Sequence, residues 1–130
     1  MNAYLLDTHA FYFWVTKTTI SDEFIDFLDA QNQKANLLVS SVSFWELALL
    51  CQAGRITISN VNQWKNDVLK HSGITLIDPN ADEMIASTLL PKHHKDPFDR
   101  LLISQASRNK AFLVTRDKLI KNYNVKIFWM

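Results

Sequence analysis

A chain of 130 residues that is 48% hydrophobic and 12% aromatic has the length of one domain and ample material for a core, which excludes a disordered chain. A single cysteine, Cys51, excludes an internal disulfide and a multi-cysteine zinc site; with no charged-then-apolar leader and no apolar run long enough to span a bilayer, the expectation is one soluble domain over residues 1–130 in a reducing cytoplasm, with no membrane partner. The net charge of +1 hides a split: residues 1–91 carry 5 Lys/Arg against 10 Asp/Glu, residues 92–130 carry 9 against 3, and a basic C-terminal third suits a polyanion partner or a solvated helix face.

The first strand-like run is 3–6, ended by Asp7. Asp7 suits the cap of a helix starting near Thr8-His9, in which the aromatic run Phe11-Tyr12-Phe13-Trp14 serves either the core or a contact with a partner. Phe24, Ile25, Phe27 and Leu28 recur at helical spacing, and 31–36 reads as a polar loop. The run 36–41 is apolar throughout Leu37-Leu38-Val39, as in a strand covered on both faces. Ser43 then reads as an N-cap with Glu46 three residues on, Cys51 as a packed small residue of that helix, and Gly54 as its stop. Val61, Trp64, Val68 and Leu69 form the next helical face. A strand is expected at 74–77, a turn at Asp78-Pro79, and another helical face at Ala81, Met84, Ile85 and Leu89. Asp96-Pro97 places a capping residue before a first-turn proline, opening a helix through Phe98, Leu101, Leu102, Gln105 and Ala106. Strands at 111–115 and 125–129 close the chain. Two glycines and three prolines imply short connections. The alternation predicts an α/β fold with a mostly parallel sheet.

Four acids, Asp7, Glu46, Asp99 and Asp117, lie far apart in the chain, most of them where an apolar run stops. Each has a structural alternative: Asp7 and Asp117 as caps, Glu46 as half of a capping box, Asp99 as a charge facing a helix N-terminus. Sites in open parallel sheets form beyond the carboxyl ends of strands, where strand order reverses. If the first and fourth strands are neighbours there, Asp7 and Asp117 become adjacent, and Glu46 and Asp99 can point into the same crevice. Carboxylates so gathered need a cation, and an oxygen-only set suits Mg2+ or Mn2+. The chemistry this suits is phosphodiester hydrolysis by a metal-activated water. Lys92, Lys95, Arg100 and Arg116 are candidates to hold flanking phosphates of the substrate. Thr8, His9, Thr115 and Asp96 are possible accessory residues: the Thr115 hydroxyl could orient Asp117, and His9 could touch substrate or orient a carboxylate. His93-His94 lacks zinc-pair spacing and reads as solvated or phosphate-facing. No Gly-rich phosphate loop and no Gly-x-Ser-x-Gly elbow is present.

The blocks Leu5-Leu6-Asp7-Thr8-His9-Ala10, Ser43-Phe44-Trp45-Glu46-Leu47-Ala48, Asp96-Pro97-Phe98-Asp99-Arg100-Leu101-Leu102 and Leu113-Val114-Thr115-Arg116-Asp117 resemble, in order and spacing, those of PIN-domain ribonucleases, in particular the VapC toxins of toxin–antitoxin pairs. The resemblance covers about residues 3 to 129. It implies one PIN-like domain with a five-stranded parallel sheet of order 3-2-1-4-5 and helices on both faces. It implies Asp7 and Asp99 as main metal ligands, and Glu46 and Asp117 completing the catalytic crevice by binding a second ion or positioning the water. It also implies endonucleolytic cleavage of RNA with Mg2+ or Mn2+, a cognate antitoxin partner and a homodimer. Two alternatives stand beside it: a small α/β phosphatase-type enzyme, and a non-catalytic PIN-like interaction module.

Overall fold

The computed structural model describes residues 2–130. Strand β1 (Ala3–Leu6) lies at the centre of a sheet, flanked by β2 (Leu37–Ser40) and β4 (Ala111–Val114), with β3 (Thr75–Ile77) and β5 (Ile127–Phe128) at the edges. All four pairings are parallel, in the order β3-β2-β1-β4-β5. The expected fold class and strand order are both present. β1 and β4 run in full register, from Ala3 opposite Ala111 to Leu6 opposite Val114, so the two strands end side by side.

Successive side chains of a strand point to opposite faces. Tyr4 and Leu6 therefore join one core, and Leu5 joins the other. The first core is covered by α1 (Thr8–Thr16), α2 (Asp22–Gln33) and α3 (Ser41–Gln52), through Phe11, Trp14, Phe24, Leu28, Phe44 and Leu47. The second is closed by α6 (Pro97–Arg108), through Leu102, Ile103 and Ala106. Helix α4 (Val61–Ser72) lies against the first core through Trp64, Val68 and Leu69. Helix α5 (Ala81–Thr88) is fastened to α6 where the Ser104 hydroxyl donates to the Glu83 carbonyl at 2.8 Å. Of the aromatic run, Phe11 and Trp14 are buried, while Tyr12 and Phe13 are half-buried.

Local signals decide most boundaries. Asp96 accepts from the N–H groups of Phe98 and Asp99 and caps α6, with Pro97 as its first residue. Gly54, at φ +74°, follows the last turn of α3. Two expectations are corrected. Residues 31–33 belong to α2, not to a loop. Ser43 is not a cap: β2 runs straight into α3, so Ser40 takes the capping position and accepts from Val42 N–H, leaving Ser43 as the third helical residue, fully buried. The reciprocal capping box occurs instead at Asn80 and Glu83.

Candidate active site

The adjacent ends of β1 and β4 set the floor of an acidic crevice. Asp7 follows β1 and caps α1, its Oδ1 accepting from Ala10 N–H at 2.8 Å. Its own N–H donates to Val114 O at 3.0 Å, which extends the β1–β4 ladder by one residue. Thr115 follows β4, is buried, and links two of the acids. Its side chain lowers the Asp7 carboxyl, and its Oγ1 accepts from Asp117 N–H at 3.1 Å. That hydrogen bond reaches the backbone N–H of Asp117 and not its carboxylate.

Glu46 lies in the second turn of α3, one turn beyond its expected place, and Asp99 is the third residue of α6. Burial pushes the Asp7 carboxyl above its ordinary range, opposed by the Ala10 N–H, Thr115 and His9, and reinforced by Asp117. Burial also raises Glu46; Thr8 and His9 pull it down, and the charges of Asp96 and Asp7 push it further up. Asp99 is pushed up to about 7, first by burial, then by Asp96 and Asp7, with His94 acting the other way and Glu46 adding to the rise. The acids therefore feel one another across the crevice, although they come from four separate stretches of chain. The Thr8 hydroxyl has one proton to give: it donates to Ser43 Oγ at 3.0 Å while lying beside Glu46. Glu46 Oε1 is buried and has no hydrogen-bond partner.

His94 is the residue that sequence reading misplaced. It is neither solvated nor turned to a phosphate. Its Nε2 lies 2.7 Å from Asp117 Oδ2 and 3.1 Å from Asp99 Oδ2, and its side chain is only 13% exposed. Its Nδ1 accepts from Asp96 N–H at 3.1 Å. The signal in the chain was adjacency to Asp96, not spacing to another histidine.

Arg100 corrects a second expectation. Its two terminal nitrogens donate to the carbonyls of Ser87, Leu90, Pro91 and His94 at 2.8–3.2 Å, and to Tyr123 Oη at 3.4 Å. A guanidinium so engaged is a clasp on the α5–α6 connection and is not free to hold an RNA phosphate. Lys92 and Lys95 are exposed on that connection. Lys95 lines a depression of about 460 Å³ together with Glu46, Arg55, Asp96 and Phe98. Arg116 is exposed just after β4, its guanidinium carbon 5.1 Å from the centre of the Phe13 ring. On the rim, the Trp45 ring meets Phe98 edge-on at 4.9 Å and is 60% exposed.

This sheet order, with acids converging beyond the ends of β1 and β4, can be compared with known proteins. A family profile described as the PIN domain matches residues 4–126. The chain belongs to the PIN-domain family. Ribonuclease VapC22 of Mycobacterium tuberculosis (strain ATCC 25618 / H37Rv) is 27% identical over 128 residues, which is 95% of this chain and 93% of that protein. Among solved structures, VapBC2 from Rickettsia felis bound to a DNA fragment from its promoter superposes with a TM-score of 0.74 at 21% identity, covering 98% of this chain and 99% of that one. VapBC from Salmonella typhimurium, also bound to DNA, gives 0.67 at 13% identity over 98% of both chains. FitAcB from Neisseria gonorrhoeae gives 0.63 at 16% identity, over 97% of this chain and 96% of that one.

The crevice of this PIN domain fits a divalent cation. Its donors are carboxylate oxygens, three of the acids are raised by burial and mutual repulsion, and one buried carboxylate oxygen has no partner. The histidines beside the acids oppose the rise: His94 acts on Asp99, and the exposed His9 on Asp7 and Glu46.

Proposed function

We propose that this PIN domain is a metal-dependent endoribonuclease, hydrolysing RNA phosphodiesters, and the toxin of a toxin–antitoxin pair. The observation that carries this reading is the convergence of Asp7, Glu46, Asp99 and Asp117 at the paired ends of β1 and β4, where mutual repulsion makes the ionised cluster costly without a cation. Asp7, Glu46 and Asp99 are the side chains that would hold Mg2+ or Mn2+, and Asp117 completes the crevice. A bound ion supplies Lewis acidity toward phosphate oxygens and a source of hydroxide at neutral pH. Thr115 keeps Asp7 and Asp117 in register with each other, and Thr8 and His9 temper the charge on Glu46 and Asp7. Asp96 caps α6 and so aims Asp99. Lys92, Lys95 and Arg116 are the basic side chains left to hold flanking phosphates of the RNA.

The relatives named VapBC and FitAcB support a cognate antitoxin as partner. The exposed Trp45 and Leu49 on α3 beside the crevice give an antitoxin segment an apolar surface. A homodimer and a cytoplasmic location complete the proposal; among the described residues no helix is long and apolar enough to cross a membrane. A phosphatase-type mechanism is disfavoured because the neighbours of Asp7 are Leu6 and Thr8 and the residue after Thr115 is Arg116, which leaves no second acid beside the first and no lysine at that strand end. A non-catalytic module would have no use for so strained a set of acids.

The test is cleavage of RNA by purified protein with and without Mg2+, against Asp7→Asn and Asp99→Asn. Cleavage should need the ion and vanish in both variants while their circular dichroism matches the parent. Asp7→Asn protein that cuts at the parental rate would remove the assignment.

A further inference from the structure

Within the metal-dependent reading, on which this step rests, we infer that the crevice is built for one divalent ion, on Asp7, Glu46 and Asp99, and that the Nε2–H of His94 fills the place beside Asp117 that a second ion would need.

The tautomer is set by the backbone. Asp96 N–H points at His94 Nδ1 from 3.1 Å, so Nδ1 presents its lone pair and the ring proton sits on Nε2. That proton faces Asp117 Oδ2 at 2.7 Å, with Asp99 Oδ2 3.1 Å from the same nitrogen. Nε2 then has no lone pair for a metal. To become a ligand it would have to pass its proton to Nδ1, and an N–H at Nδ1 would collide with the Asp96 N–H. The three groups are close enough to hold an ion between them, their donor atoms lying within 4.8 Å of one another. The hydrogen bond on the far side of the ring makes His94 a donor there instead.

The acids divide in the same way. Asp117 has both oxygens engaged, Oδ1 by Leu119 N–H at 2.9 Å and Oδ2 by His94. Asp96 spends Oδ1 on two N–H groups at the start of α6. Glu46 Oε1, by contrast, is buried with no donor on it. Open lone pairs therefore gather on the Glu46 side of the crevice, and a positive hydrogen occupies the Asp117 side. A cation between Asp99 and Asp117 would meet the positive end of the imidazole dipole at contact distance.

The ring is held in place. His94 N–H donates to Tyr123 Oη at 2.8 Å, Tyr123 Oη donates to Pro91 O at 2.7 Å, and the Arg100 clasp takes the His94 carbonyl. His94 is thus a positioning residue that sets the number of ions.

The experiment is the stoichiometry of Mn2+ binding to the full chain, read by calorimetry and by loss of the free-Mn2+ electron paramagnetic resonance signal. Wild type should take one ion per chain. His94→Ala should take two, the second lost again in His94→Ala with Asp117→Asn. Two ions on the wild type, or one on both wild type and His94→Ala, would overturn the inference. Should His94→Ala fail to fold, imidazole ¹⁵N spectra of the wild type decide: the proton should stay on Nε2 at saturating Mg2+, and an unprotonated Nε2 would make His94 a ligand and sink the idea. Wild type that binds no Mn2+ at millimolar concentration would end the metal reading itself; wrong ion counts or the wrong tautomer would end only the role of His94.

Discussion

Asp99→Asn should disarm the protein and stabilise it at once. The folded, metal-free chain takes up a proton on Asp99 near pH 7, against 3.8 for the ordinary group. The unfolded chain therefore gives up that proton at much lower pH than the folded one. Below about pH 4 both states are protonated and the site costs the fold nothing. As pH rises the cost grows, and it levels off above 7. At roughly 1.4 kcal/mol per pH unit, the full penalty is on the order of 4 kcal/mol at pH 8 and nearer 2 kcal/mol at pH 5. Asn keeps the shape and removes the ionisation. Thermal unfolding followed by circular dichroism in EDTA should show Asp99→Asn more stable than the parent by about 15 °C at pH 8, taking about 4 °C per kcal/mol for a chain of this length. The gap should narrow by about half at pH 5. Saturating Mg2+ should raise the parent and close the gap at pH 8, because only the parent gains an ion. A variant no more stable than the parent at pH 8, or a gap that does not change between pH 5 and 8, would refute the account of the crevice as a store of repulsion.

Arg100→Ala should lose about 3 kcal/mol of stability in urea unfolding, since it leaves four carbonyls and a phenol without their shared donor, and Arg100→Lys should recover little of it because one ammonium cannot span them. Lys92→Ala combined with Lys95→Ala should leave the unfolding midpoint unchanged but weaken RNA binding and flatten its dependence on salt, measured by fluorescence anisotropy at several ionic strengths. Asp96→Asn should keep the α6 cap, because an amide oxygen caps nearly as well, while removing the strongest charge acting on Asp99; carboxyl NMR titration should find the Asp99 pKa below about 7.

Much of this fold is legible in the residues themselves. Asp7 ends an apolar run and caps α1, Asp96-Pro97 opens α6, and Gly54 lies where α3 stops, because each of these signals is local. The order of the strands was less accessible; it came through resemblance, since periodicity says that strands exist and not which of them pair. Ser43 shows a local rule losing to its surroundings: the spacing to Glu46 suits a capping box, but β2 enters α3 with no loop, so Ser40 takes the cap. Arg100 and His94 were beyond reach for one shared reason. Whether a guanidinium meets solvent or carbonyls, and whether an imidazole points out or into the acids, depends on where residues 87–94 and Tyr123 are carried by the packing of α5 on α6. Nothing in a basic stretch of sequence distinguishes a clasp from a phosphate grip.

Within five residues, Asp96, Asp99 and Arg100 do three different jobs: one starts a helix, one brings a carboxylate to the acidic crevice, and one laces down the segment that delivers His94. The connection between α5 and α6 therefore behaves as a gauge block, its length measured against the depth of the crevice. Adding or deleting one residue there would unseat the imidazole, the lacing and the helix start together.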